Sequence, residues 1–278
     1  MNSFRMKRIR SCLLLFLCLF PLFSCVSHLE EAKFYYSKGQ DFSRIYEYEK
    51  AVASFRSALN EATIEAKRHP SSQAFMVKGM AELNLQMWEE ARKSFAKAFS
   101  YGFEKGEEWA EQVSILGLAV SLQESGLEDS ASRMYSYLID RSKFRPVCVL
   151  AAEKYIDITL IRILNMKGEE KQKELFRLLR RVEKLSSKDL SCSYYHYLQS
   201  QIYSHLGDYR KSFEEAVMAR ELGLPKEEIF RDNDLQIVFC YDKLREKLTS
   251  EKWQRFQSIY REWVKRWGWK DHETPDWK

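Results

Sequence analysis

Past residue 30 the apolar positions recur three and four apart, the spacing of one buried helix face, and alternating β-branched runs are absent. A longer period overlies this one. Ala51, Phe55 and Ala58 stand four and three apart, and Ala91, Phe95 and Ala98 repeat them 40 residues on. Ala131, Tyr135 and Leu138 follow after another 40, Gln172, Phe176 and Leu179 after 41, and Ser212, Ala216 and Ala219 after 40 more. A fixed period predicts stacked units, each burying its apolar face against its neighbour. Gly102, Pro146, Ser186-Ser187 and Pro225 fall near the breaks between units. The run Asn60–Arg68, ahead of Pro70, reads as an extension of a second helix. The pattern predicts an all-α superhelical stack of about five helical hairpins over residues 31–226, the fourth (147–185) being the most divergent.

Residues 227–267 read as the end of the array. Within them, Trp253, Phe256, Tyr260, Trp263 and Trp267 form one aromatic stripe on an amphipathic helix spanning 250–267, with Ser250 as its cap. The stripe suits a helix that covers the last repeat, because terminal repeats need covering. A homo-oligomer seam and a membrane-surface face are the alternatives. Residues 268–278 read as a polar tail.

The repeated residues resemble the tetratricopeptide family. In the first unit Tyr35, Gly39, Phe42, Tyr48, Ala51, Phe55 and Ala58 fall on its signature positions, and in the second Phe75, Gly79, Trp88, Ala91, Phe95 and Ala98 do so. Leu118-Ala119 and Gly126 mark the third, and Tyr203 with Leu206-Gly207-Asp208-Tyr209 the fifth. A Gly or Ala lets two helices approach closely while the aromatic fills the adjoining gap. The resemblance implies a ligand groove lined by the first helix of each pair. Carried over, the groove positions include Tyr36, Met76, Met80, Leu83, Val113, Leu116, Val120, Tyr194 and Tyr197. An apolar centre with two adaptable Met side chains suits a helix, an extended apolar peptide or a hydrophobic ligand. Burial of these side chains in tighter packing is the competing reading.

The N-terminus reads as an address. Arg5, Lys7, Arg8 and Arg10 precede an apolar run from Cys12 to Phe23 that is short for a permanent membrane span. Leu22-Phe23-Ser24-Cys25 resembles the bacterial lipobox. That resemblance implies a signal peptide over residues 1–24, lipid on the Cys25 sulfur, a short linker over 25–30, and a place in the bacterial envelope facing the periplasm. The four cations account for most of the net charge of +5. Without residues 1–24, 41 of the 45 basic residues remain against 40 acidic ones, which gives no general argument for nucleic acid.

No residue set supports a reaction. GxSxG, HExxH, Walker and GxGxxG patterns are absent, and no cofactor is indicated. Cys148, Cys192 and Cys240 are far apart and read as buried thiols. Cys192 and His196, four apart, have no second ligand pair. Asp232-Asn233-Asp234 is not a calcium loop, because Ile237 and Lys243 stand where Gly and Glu are needed. The whole resembles lipid-anchored scaffolds with protein partners. One such type is the T component that accompanies a periplasmic solute-binding protein in TRAP transport, and another is the D subunit of the outer-membrane β-barrel assembly machinery. An envelope enzyme or metal carrier is the contrasting class.

Overall fold

The computed structural model describes residues 27–224 and 227–269. The signal peptide, Cys25, Pro225 and most of the expected tail lie outside them. The described residues form twelve helices in chain order: α1 (His28–Arg44), α2 (Tyr48–Arg68), α3 (Ser72–Asn84), α4 (Trp88–Tyr101), α5 (Glu108–Glu124), α6 (Glu128–Arg141), α7 (Arg145–Leu164), α8 (Gly168–Ser186), α9 (Ser193–His205), α10 (Tyr209–Leu222), α11 (Glu227–Lys247) and α12 (Ser250–Trp267). The chain divides into two compact units, one up to Met134 and one from Tyr135.

The period is anchored at one place in each hairpin. The second helices α2, α4, α6, α8 and α10 start at 48, 88, 128, 168 and 209, and each follows its first helix after three residues. The middle residue of the turn is left-handed at Tyr46, Gln86, Gly126 and Gly207. Glycine takes that conformation without a Cβ clash, so Gly126 and Gly207 suit their places, whereas Tyr46 and Gln86 each carry a cost of about 1–2 kcal/mol. The 40-residue period exceeds the roughly 34 residues of a typical tetratricopeptide repeat, and the excess goes to different places. It lengthens α2, α7 and α8, and after the second hairpin it becomes the loop Gly102–Glu107.

The small-residue rule explains the packing of the N-terminal unit. A Cβ on Gly39 would lie 2.6 Å from the Phe55 ring, and one on Gly79 would lie 3.0 Å from that of Phe95. Phe95 is also closed in from α5, where a Cβ on Gly117 would come within 2.2 Å of it. The first helices α1, α3 and α5 are neighbours in one layer, and α2 and α4 pack behind them. Lys78 on α3 donates to the buried Glu82 and to Ser94 Oγ on α4 at 3.0 Å, a polar pin between the layers.

The second unit repeats the arrangement, with α7, α9 and α11 as adjacent first helices. Here the fourth repeat corrects the expected register by one residue. Gln172 and Phe176 are exposed, and the buried face of α8 is Leu175, Leu178, Leu179 and Val182. The residues equivalent to Ala131, Tyr135 and Leu138 are therefore Lys171, Leu175 and Leu178, again 40 on. Leucines, not the lone aromatic Phe176, fill the gap here. Two further boundaries move. Helix α1 begins at His28, inside the stretch read as linker, with Ser27 Oγ accepting from Glu30 N at 3.2 Å. The cap of α12 is Thr249 rather than Ser250.

Candidate binding surfaces

On the N-terminal unit the expected groove positions separate into two groups. Met76 is 2% exposed and belongs to a core cluster with Ala32, Ala62, Val77, Ala91, Phe95 and Ala110. It offers no surface, because α3 turns it toward the second layer. Met80, Leu83 and Val113 pack on that cluster and stay half-buried, as do Leu116 and Val120. Tyr36 is half-buried, its ring 5.6 Å from Phe55, and its hydroxyl accepts from Gln40 and Asn84, both at 3.2 Å. Burial pushes its phenol above the ordinary value despite those two donors. Gln73 is also engaged: it donates to Glu107 at 2.5 Å, and this bond leads the causes that hold the Glu107 carboxyl below the usual range. What remains accessible is a half-buried apolar row on adjacent helices: Met80 and Leu83 on α3, and Val113, Leu116 and Val120 on α5.

The second unit differs. Tyr194 is buried, another correction to the expected surface, and Tyr197 is half-buried. Burial and the nearby Asp232, Asp157 and Glu153 push the Tyr197 phenol up to about 12. Acids from α7 and α11 therefore flank an aromatic on α9, where the first unit presents aliphatic carbon.

His196 is nearly buried and uses both ring nitrogens. Nδ1 lies 2.6 Å from Glu215 on α10, and Nε2 lies 3.2 Å from the Leu190 carbonyl. Both ring nitrogens thus have protein partners, and burial raises the pKa of the Cys192 thiol. The Glu215 bond, ahead of burial that opposes it, raises the His196 pKa. A raised folded-state pKa gives stability that is complete below the unfolded value of about 6.5 and lost as pH rises through the folded value. Urea midpoints at pH 6 and pH 8 should therefore fall with pH in the native chain and change less in His196→Gln. Equal slopes would exclude this pair as a stabilising contact. In the first unit, His28, Glu31 and Glu61 place three ligand atoms close together. Arg68 lies 3.0 Å from His28 Nε2, and Nδ1 faces Glu61 at 2.6 Å, so the imidazole is spent on protein contacts. Cys240 is buried and Cys148 half-buried, and neither is in a disulfide.

The aromatic stripe of α12 packs inside its own chain. Tyr260 is fully buried against Phe213 and Tyr241, and Trp253, Phe256, Trp263 and Trp267 pack around the same cluster. Beside them lies a cleft of about 430 Å³ whose apolar lining includes Phe213, Leu244, Leu248, Phe256, Ile259 and Trp263. Arg210, Glu214, Lys252 and Arg255 line the rest of it. Sequence reading missed this cleft. Its one trace was Ile259, set between Phe256 and Trp263 at spacings of three and four but off the stripe.

Stacked helical hairpins, with a small residue of one helix against an aromatic of the other, define a tetratricopeptide-type all-α repeat fold. Solved structures similar to the chain carry the same description. They include YrrB, titled a TPR protein with an unusual peptide-binding site (16% identity over 71% of this chain and 89% of that one, TM-score 0.40). They also include a tetratricopeptide repeat protein from Parabacteroides merdae (18% identity, 84% and 79% coverage, TM-score 0.49). A third is the C-terminal part of a TPR repeat-containing protein from Cytophaga hutchinsonii (12% identity, 82% and 98% coverage, TM-score 0.32). No family model and no curated protein matches the chain.

Proposed function

We propose that the chain is a lipid-anchored scaffold of the bacterial envelope that holds a protein partner against the first-helix layer of its N-terminal unit. The observation that carries this reading is the half-buried apolar row Met80, Leu83, Val113, Leu116 and Val120 on adjacent helices. Such a row accepts the apolar side of a partner helix or extended peptide. The anchor rests on the charged, apolar and Leu22-Phe23-Ser24-Cys25 segments in series. Among the described residues no helix is long and apolar enough to cross a membrane. The partner we favour is a periplasmic solute-binding protein of TRAP-type transport, as the resemblance implies.

Met80→Glu combined with Leu116→Glu should abolish partner capture by cross-linking in the native envelope while leaving the helical content unchanged. Both positions border solvent, so the charges need not enter the core. Retained capture would remove this face from the function. The captured protein identifies the branch: a solute-binding protein supports the favoured partner, and a barrel-assembly subunit replaces it. Labelled palmitate should mark the chain and be lost in Cys25→Ala; unchanged labelling would refute the anchor.

A further inference from the structure

We infer that the outer face of the first hairpin is a bilayer-docking surface, which seats the scaffold on the membrane that its lipid enters. The inference rests on the lipid-anchor reading of Cys25.

The first hairpin presents more large apolar surface than its packing requires. Phe34 is 62% exposed, Ile45 61% and Tyr48 57%, with Tyr46 and Val52 also exposed. On α1, Phe34, Lys38, Asp41 and the flanking Ile45 stand at i, i+4, i+7 and i+11. This places them on one stripe, opposite the buried Ala32 and Gly39. Tyr46 and Tyr48 continue the stripe through the turn, with ring centroids 6.1 Å apart, and Val52 lies one turn further along α2. The charges around this face balance, Lys38, Arg44 and Lys50 against Asp41, Glu47 and Glu49, and Lys50 pairs with Glu47 at 2.6 Å. Asp41 is paired with Arg44 at 3.3 Å, and the amines of Lys38 and Lys50 lie 5.7 and 5.6 Å from the Phe42 ring centroid. Aromatic bodies with neighbouring Lys side chains are the composition that settles at a membrane–water interface.

The length of the tether selects this occupant over another protein. Helix α1 begins at His28 and is capped by Ser27, so three residue steps separate it from Cys25. Fully extended, three residues span about 10 Å. A lipid on Cys25 would therefore hold the N-terminal end of α1 at the headgroup layer, with Phe34 about 9 Å along the helix from His28. Laying α1 along the membrane surface then brings the rest of the stripe, up to Ile45 and Tyr48, onto the same plane. Lipid chains and an interfacial apolar face add as independent attachments.

The test uses the full chain in vesicles of phosphatidylethanolamine and phosphatidylglycerol, with a photo-cross-linking phenylalanine analogue placed in turn at Phe34, Tyr48 and Lys93. Lys93 is an exposed position on α4. The proposal expects lipid adducts from positions 34 and 48, adducts at background from 93, and loss of the adducts in Phe34→Glu/Tyr48→Glu when the analogue is carried at Ile45. Palmitate labelling is measured on the same preparation. A labelled chain without lipid adducts at 34 and 48 overturns the docking face and leaves the anchor standing. An unlabelled chain overturns both. Adducts from 34 or 48 to a second copy of the chain, in place of lipid, assign the face to self-association and overturn the proposal.

Discussion

Phe95→Ala is expected to lower the unfolding free energy by about 3–5 kcal/mol, the range for truncating a fully buried aromatic. Phe95 is 0% exposed and fills the space left by two glycines on two different helices, Gly79 on α3 and Gly117 on α5. Alanine would leave a void bordered by Gly79 and Gly117, neither of which carries a side chain to fill it. The converse change is Gly117→Ala. Its Cβ would fall 2.2 Å from the Phe95 ring, so the ring must shift or α5 must move away. Overpacking of this kind costs about 1–3 kcal/mol. The two changes share one space and should not add. The double variant Phe95→Leu/Gly117→Ala should be more stable than the sum of its single effects predicts, a coupling that urea denaturation followed by circular dichroism reads directly. Strict additivity would mean that Phe95 does not fill both gaps.

Arg220→Ala should cost about 3 kcal/mol or more and loosen the C-terminal end of α12. The guanidinium pairs with Asp234 on α11 and lies 4.7 Å from the centroids of Phe230 and Trp267 and 5.0 Å from that of Trp269. Removing one partner of a largely buried ion pair costs about 3–5 kcal/mol, and the stacked rings add to the loss. Next to it, Glu221 accepts from Arg266 at 2.6 Å and from Trp267 Nε1 at 2.7 Å, so two consecutive residues of α10 hold the end of α12. The readouts are a lower urea midpoint, a red shift of tryptophan emission and new protease cleavage after residue 260. Arg220→Lys should recover little, since an ammonium cannot stack between the rings as a planar guanidinium does. Native emission and cleavage in Arg220→Ala would show that the aromatic cluster around Tyr260 holds α12 alone.

These two sites show what kind of information a single sequence carries. Phe95 was legible because its role is periodic: the same spacing of four and three, with a small residue beside it, recurs at Phe55 and Tyr135. The limits of α12 and the long α2 were legible for the same reason, since an apolar stripe and a proline break are local. Arg220 was not legible. Its partners Asp234, Trp267 and Trp269 lie on other elements, and no periodicity marks a cation that stacks across helices. The α8 register slipped because leucines replaced the aromatic, leaving Phe176 as a false marker. The groove positions Met76 and Tyr194 were misjudged because neighbouring residues of a helix point about 100° apart. Spacing alone does not say which of two neighbours turns toward the second layer. The outer face of the first hairpin was not legible, because Phe34 and Tyr46 fall on no repeated position and the signature residue Tyr48 is exposed rather than packed.

Partner binding is assigned to the apolar row of α3 and α5. Position-resolved photo-cross-linking in intact cells probes that row most directly, with the analogue at Leu83 or Val120 and, as a control, at Lys93 on α4 behind it. One discrete protein adduct is expected from Leu83 and from Val120, and none from Lys93. Adducts of equal yield from all three positions, or from Lys93 alone, would contradict binding at this row.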